Sequence, residues 1–353
     1  MSRSRRLGLL AGLIVLLAVG LVPRPVSYTP AGTAQATNVA AWAEAQISQS
    51  VEEGVRPGNE ERLIWANEMH EKTPWTLLYI HGFGASRGEG EYTVEQTAQA
   101  WGMNAYLLRL PCHGFDDPDK HAACDWTEWL DRANDALTQM PLLGERTLVM
   151  GTSMGALFAT WLAAEHPDAV DAMVLASPAY GFANKMAVLL HMPVGPPVQR
   201  LLYGDTRDAG WRNDIQSRKV DGYDDHWTLK QRYTPLYGLA RAQRYIAKDD
   251  TFEKVKTPTL VLYYYKDEQN QDEAASVPRI REAAAIFARN NPKSRSVAIE
   301  DGAHVLFSAY VRTDKVRVQS EIDGFLSDVV GPKPPPPPPE PAAPAEIPVE
   351  PTP

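Results

Sequence analysis

The chain has 353 residues, 44% of them hydrophobic and 22% charged, enough to bury one large α/β domain or two smaller ones. Its formal charge of −9 gives no general attraction to phosphate backbones, which argues against nucleic acid as a partner.

The first residues, MSRSRRLGLLAGLIVLLAVGLVPRP, set Arg3, Arg5 and Arg6 before an apolar run from Leu7 to Val22 that Pro23 closes. This is the layout of a secretory signal or a short membrane anchor, occupying residues 1–26. A buried core helix would instead show polar residues at helical spacing. The run is slightly short for a spanning helix. The nearest small-x-small site, Ala34-Gln35-Ala36, lies well beyond it, which favours an uncleaved segment. The expectation is an exported chain in the periplasm or cell envelope, held at the inner membrane. Ser4-Arg5-Arg6 weakly resembles a twin-arginine signal.

A polar, Ala-rich connector follows over residues 27–60, in which Asn38 to Val51 has apolar residues at roughly helical intervals. RLIWAN then alternates like a strand, and strand and helix patterns take turns from there. The strand candidates are Thr76 to Ile80, Asn104 to Leu110, Arg146 to Met150, Asp171 to Ala176, Thr259 to Tyr265 and Ser294 to Ile299. Most are near-continuous apolar runs, which suits a sheet covered on both faces. Helical patterns cover Val94 to Trp101, Trp126 to Met140, Ala156 to Glu165, Asp272 to Arg289 and Lys315 to Val329. The alternation implies a mostly parallel, doubly wound α/β sheet over residues 61–331. From about 180 to 252 the rhythm breaks: no clear sheet strand appears among many aromatics and prolines, as expected of an inserted, mostly helical cap. The proline-rich tail, residues 332–353, cannot form a core. It should be a polyproline II segment of up to about 65 Å at roughly 3.1 Å per residue, either a passive spacer or a ligand for a cell-envelope partner.

Only two cysteines occur, Cys112 and Cys124. In an exported domain such a close pair is expected to form a disulfide closing a surface loop, worth roughly 3 kcal/mol by the chain-entropy estimate. A metal site recruiting His113 and His121 is the alternative, but the spacing matches no common zinc pattern.

The stretch VMGTSMGAL places Ser153 between two glycines, after an apolar strand pattern and before a helical one. A serine on such a strand-to-helix turn needs small neighbours and is lifted over the C-terminal edge of the sheet, where α/β sites lie. It becomes a good nucleophile only with a base. His304, in EDGAHVLF, falls in a loop on the same edge; His113 is its rival. Asp267, just after the strand pattern TLVLYYY, is the expected acid, with Asp272 and Glu268 close enough to substitute. The backbone N–H groups of Phe83, in IHGFGAS, and of Met154 are the candidate oxyanion donors.

HGFG after the first core strand, RLPCHG, GTSMG, KDE after a late strand and GAH before the last helix together resemble the α/β-hydrolase superfamily, in its serine aminopeptidase, monoacylglycerol lipase and lysophospholipase-like branch. The resemblance covers roughly Arg62 to Val330. It implies that Ser153, Asp267 and His304 form a triad with Phe83 and Met154 as oxyanion donors. Cys112 stands where the family usually has glycine in an LPGHG turn, and YYYKDEQ departs from the usual G-x-x-D around the acid. The leading expectation is a serine hydrolase acting on a small ester or lipid-like substrate, with no metal or organic cofactor. One alternative is an aminopeptidase or amidase using the same triad, with Asp205, Asp208, Asp224 and Asp225 of the cap binding a substrate amine. The other is an inactive hydrolase fold serving as an envelope interaction protein.

Overall fold

The computed structural model describes residues 20–209 and 213–335. Most of the expected N-terminal anchor, through Val19, and of the proline-rich tail, from Pro336 onward, lies outside the described residues. Among the described residues no helix is long and apolar enough to cross a membrane.

The elements follow the chain as α1 (Val39–Glu52), β1 (Arg62–Ile64), β2 (Thr73–Ile80), α2 (Thr93–Ala100), β3 (Asn104–Leu108), α3 (Trp126–Gln139), β4 (Gly144–Thr152), α4 (Met154–Glu165) and β5 (Ala172–Ala176). Then come α5 (Gly195–Tyr203), β6 (Thr206–Asp208), β7 (Lys230–Arg232), α6 (Thr234–Ile246), β8 (Thr259–Tyr264), α7 (Val277–Asn290), β9 (Arg295–Ile299) and α8 (Lys315–Val329). Seven strands form one sheet in the order β1-β3-β2-β4-β5-β8-β9. Only β1 at the edge runs antiparallel; the rest are parallel, so their C-terminal ends share one edge.

Strands β3, β5 and β8 are buried along their whole length, which is why their sequences are apolar on both faces. One side of the sheet is covered by α3, α4 and α7 and the other by α2 and α8. α4 has the most enclosed place, buried from Met154 to Ala164 and apolar on every side. α3 starts on a capping box, in which the Asp125 side chain accepts from the first turn and Glu128 Oε2 accepts the Asp125 N–H at 2.8 Å.

Two expectations need adjusting. The helical pattern at Asp272 becomes helix only at Val277, because Asp272 Oδ1 accepts the Ala274 and Ala275 N–H groups at 2.8 Å each in a turn of its own, and a proline opens α7. Among the described residues of the inserted region no strand joins the main sheet, yet β6 and β7 pair as a small antiparallel ribbon. Within that region α6 packs Leu236, Leu239, Ala242 and Ile246 into the main core, so the chain from Thr234 onward serves the helical layer beneath the cap.

The connector is fastened to the domain. Tyr28 packs its ring against Trp126, Trp161 and Tyr245 and donates its hydroxyl to Asp131 on α3. Ala31 N–H and Ala36 N–H donate to Asp131 and Gln139 of the same helix at 2.9 and 2.8 Å.

Candidate active site

β4 ends at Thr152 and α4 begins at Met154, so Ser153 alone makes the turn, at φ 53° and ψ −111°. A non-glycine residue held there stores about 1–3 kcal/mol of strain, which its surroundings must hold in place. Two hydrogen bonds do so: Ser153 N–H donates to the Ala176 carbonyl at 2.8 Å, and Ala179 N–H donates to the Ser153 carbonyl at 3.0 Å. Both glycines beside it are required by contact. A Cβ on Gly155 would sit 1.9 Å from the Ile80 carbonyl oxygen, and one on Gly151 would sit 2.7 Å from the Ala156 nitrogen. The turn is thereby pressed against the end of β2.

His304 lies in the loop after β9, on the same edge, and is 5% exposed. Its partner is Asp272. The ring Nδ1 lies 2.9 and 2.8 Å from the two Asp272 carboxylate oxygens. An ionised carboxylate only accepts, so Nδ1 carries the proton and Nε2 is left as the basic nitrogen. Burial alone would raise the Asp272 pKa, but the His304 ring and the N–H groups of Ala275 and Ala274 outweigh it and hold the carboxyl below the usual range.

Asp267, the expected acid, is not at this site. It is exposed, and its Oδ1 accepts from the Gln269 and Asn270 N–H groups at 2.9 and 2.8 Å in a local turn. Glu268 is exposed as well and accepts the Tyr265 hydroxyl at 2.9 Å. The substitute named from sequence, Asp272, takes the place because the chain folds back after Tyr264, whose carbonyl accepts the Asp272 N–H at 3.2 Å. The flanks carried a signal: Asp267 sits among Lys, Glu, Gln and Asn, whereas Asp272 runs into the apolar Ala274-Ala275.

The turn after β2 passes beside the serine, since a Cβ on Gly82 would come within 3.3 Å of the Ser153 Cβ. The backbone of Phe83 follows directly. Met154 is the first residue of α4, at the positive end of its dipole. Glu89 was missed from sequence. Buried beside this turn, its Oε2 accepts the Gly82 N–H at 2.6 Å and the Tyr79 hydroxyl at 3.1 Å. Asp214 of the inserted region was missed too; its Oδ2 accepts the His304 N–H at 3.0 Å and so ties the cap to the histidine loop.

The rival base, His113, is fully buried, with Nδ1 against the Pro111 carbonyl at 2.9 Å, and burial chiefly pushes its pKa down to about 4. It packs edge-on against His121 and near His81 beneath Phe83. Cys112 and Cys124 are joined in a disulfide, Cα to Cα 5.8 Å, which closes the loop carrying His113 and His121. Among the described residues no group of three or more His, Cys, Asp or Glu side chains is arranged to hold a metal ion.

Ser153, His304 and Phe83 line one cavity of about 750 Å³ between the sheet edge and the cap. Its far wall is apolar, with Phe182, Met186, Leu190, Leu202 and Leu236. Of the acidic cap residues weighed as amine ligands, Asp205 and Asp224 pair with Arg200 and Lys219 at 3.0 and 3.3 Å, and only Asp208 reaches the cavity.

The sequence profile of the family described as serine aminopeptidase, S33, matches residues 71–307, more than half of the chain. No curated protein sequence matches it. Among solved structures, one of the metagenome-derived lipolytic enzymes LipS and LipT superposes with a TM-score of 0.62 at 18% identity, over 78% of this chain and 99% of that one. A monoacylglycerol lipase from Paleococcus ferrophilus gives 0.55 at 14% identity, over 77% and 98%. A soluble variant of monoglyceride lipase from Saccharomyces cerevisiae, solved with a substrate analog, gives 0.52 at 12%, over 75% and 89%. At these identities the likeness establishes the α/β-hydrolase fold.

Proposed function

The chain belongs to the serine aminopeptidase S33 family, and from that premise we propose that it is a serine hydrolase cleaving the carboxylic ester of an apolar acyl group. Ser153 is the nucleophile, His304 the base and Asp272 the acid that fixes the imidazole. His304 Nε2 takes the Ser153 proton as Oγ attacks the carbonyl, and the Phe83 and Met154 N–H groups receive the developing oxyanion. Nε2 then protonates the leaving alcohol, and a water activated by the same nitrogen releases the acid. The observation that carries this reading is the shared cavity: a serine on a strained turn and a histidine paired to a buried carboxylate open onto the same apolar space.

An apolar wall in a cavity of this size favours an acyl chain or lipid-like group over a peptide. The neighbouring lipases and the monoacylglycerol lipases, as they are described, support the same direction. The amide reading keeps the cavity carboxylates Asp208 and Glu273 in play as contacts for a substrate amine. Comparing p-nitrophenyl acyl esters of increasing chain length with aminoacyl anilides separates the two. The ester reading expects turnover of the esters and a preference that rises with chain length; faster cleavage of the anilides overturns it.

We also propose that the segment Leu7–Val22 retains the protein at a membrane on the exported side. The disulfide favours an oxidising compartment.

A further inference from the structure

The strap that carries the N-terminal segment ends on the cap. After Tyr28 the connector can be followed backwards to Arg24, whose carbonyl accepts from Arg244, and to Gly20, whose carbonyl accepts the Val194 N–H at 3.0 Å. The same Arg244 donates to the His191 carbonyl at 2.6 Å, so one side chain ties strap and cap together. Gly20, the first described residue of the apolar run, therefore meets the domain at Val194, in the middle of the cap segment Lys185–Tyr203.

That segment is unlike the rest of the surface. In KMAVLLHMPVGPPVQRLLY the only fully charged side chains are Lys185 and Arg200, and there is no aspartate or glutamate, although the chain as a whole carries −9. Five of its apolar side chains are exposed: Leu201 by 85%, Met186 by 67%, Tyr203 by 66%, Leu202 by 62% and Val188 by 50%. Met186, Leu202 and Tyr203 also line the cavity, so the patch is its mouth. At the strap end Val22 adds another exposed apolar side chain, at 63%. An apolar lip with Lys185 at its rim, where Arg200 is paired with Asp205 at 3.0 Å, has the chemistry of a surface that enters the headgroup layer of a bilayer.

We infer that this lip is a membrane-docking surface, and that the strap holds it against the bilayer into which Leu7–Val22 inserts, with the cavity mouth facing the lipid. The strap makes the orientation specific. Fastened along α3, it brings Gly20 to Val194 beside the cavity mouth and away from the opposite edge of the sheet. There Arg295, at the start of β9, pairs with Asp328 near the end of α8 at 2.8 Å. A substrate leaving the acyl layer then enters the cavity without crossing water.

The test is a depth measurement on the full chain reconstituted in mixed phosphatidylcholine and phosphatidylglycerol vesicles. The described residues have no free cysteine, so Leu201→Cys and, at the opposite edge, Ser327→Cys each offer one thiol for an environment-sensitive fluorophore. The expected result is a blue-shifted signal at 201 that gains about twofold or more in intensity on reconstitution. Spin-labelled lipid quenches it, while the probe at 327 stays in water. Equal behaviour at the two sites, a probe at 201 already shielded without lipid, or a chain that stays out of the vesicles overturns the inference. Val188→Asp/Leu201→Asp, neither residue lining the cavity, adds a second readout: a long-chain ester presented in vesicles is turned over about tenfold more slowly, and a soluble short-chain ester within about twofold of wild type. Quenching at 201 in a protein inert toward every ester refutes the hydrolytic reading and leaves the docking surface standing.

Discussion

His304 Nδ1 lies within 2.9 Å of both carboxylate oxygens of Asp272, and that carboxylate also accepts two backbone N–H groups. Asp272 is 2% exposed, so the charge that faces the imidazole is desolvated and fixed in place. Asp267, five positions earlier, spends its hydrogen bonds on its own turn. Asp272→Asn is therefore expected to lower kcat on the order of 10³- to 10⁴-fold, because an amide no longer enforces the Nδ1–H tautomer. Asp267→Asn is expected to change kcat less than about twofold. Steady-state kinetics on one p-nitrophenyl ester compares the two; equal losses contradict the assignment.

Glu89 holds the turn that passes Ser153. Removing its carboxylate leaves the Gly82 N–H without this buried acceptor, about 1–3 kcal/mol, while the Tyr79 hydroxyl keeps the Thr152 hydroxyl at 3.1 Å. Glu89→Ala should lower kcat by up to about 10²-fold through displacement of the Phe83 N–H, with KM little changed. Glu89→Gln, which can still accept, should recover part of the loss. An effect on KM alone argues against this positioning role.

Gly155 has no room for a side chain. Its added Cβ would meet the Ile80 carbonyl carbon and oxygen at 2.5 and 1.9 Å, both backbone atoms that cannot rotate away. Gly155→Ala should cost about 2 kcal/mol or more and separate the serine turn from β2. Urea denaturation measures the first effect and esterase activity the second. A variant as stable and as active as wild type would contradict this role for Gly155.

Three histidines, His81, His113 and His121, pack under Phe83 with ring centroids 5.0 and 4.8 Å apart along the series. Burial first, and neighbouring charge after it, lowers the pKa of all three, to about 4 for His113. The unfolded chain takes up protons below about pH 6.5 that the folded one refuses. Stability is accordingly full above that pH and falls as pH drops toward 4, by up to about 1.4 kcal/mol per pH unit for each histidine. His121 has no hydrogen-bond partner for either ring nitrogen among the described residues. His121→Phe should flatten the acid arm of the Tm against pH curve without lowering the neutral plateau; an unchanged slope would remove His121 from this account.

The disulfide closes the loop that carries two of these rings. Reduction, or Cys112→Ser with Cys124→Ser, should lower stability by roughly 3 kcal/mol, a fall in Tm on the order of 5–10 °C. Thermal melts with and without reductant report it.

Much of this architecture is legible in the sequence, for reasons that can be named. The interior strands are apolar on both faces because helices cover both, so runs such as TLLYI and RTLVM mark the sheet directly. Gly151, Ser153 and Gly155 mark the turn because contact with β2 admits nothing larger. The acid was harder. Two aspartates follow the same strand, and which one folds back over Tyr264 depends on a turn that no periodicity describes. Asp214 and Glu89 left no local sign at all, since each acts through a backbone N–H belonging to another segment. The strap was likewise read only as a polar connector, because its contacts with α3 and the cap join residues far apart in the chain.

The central claim is that Ser153 is the nucleophile and that the His304–Asp272 pair activates it. Labelling of the full chain with a fluorophosphonate probe, read by peptide mass, tests it most directly. The account predicts an adduct on the Ser153 peptide of the wild type, none in Ser153→Ala, and labelling slowed by orders of magnitude in His304→Ala and Asp272→Asn. An unlabelled wild type, or an adduct that persists in Ser153→Ala, would contradict it.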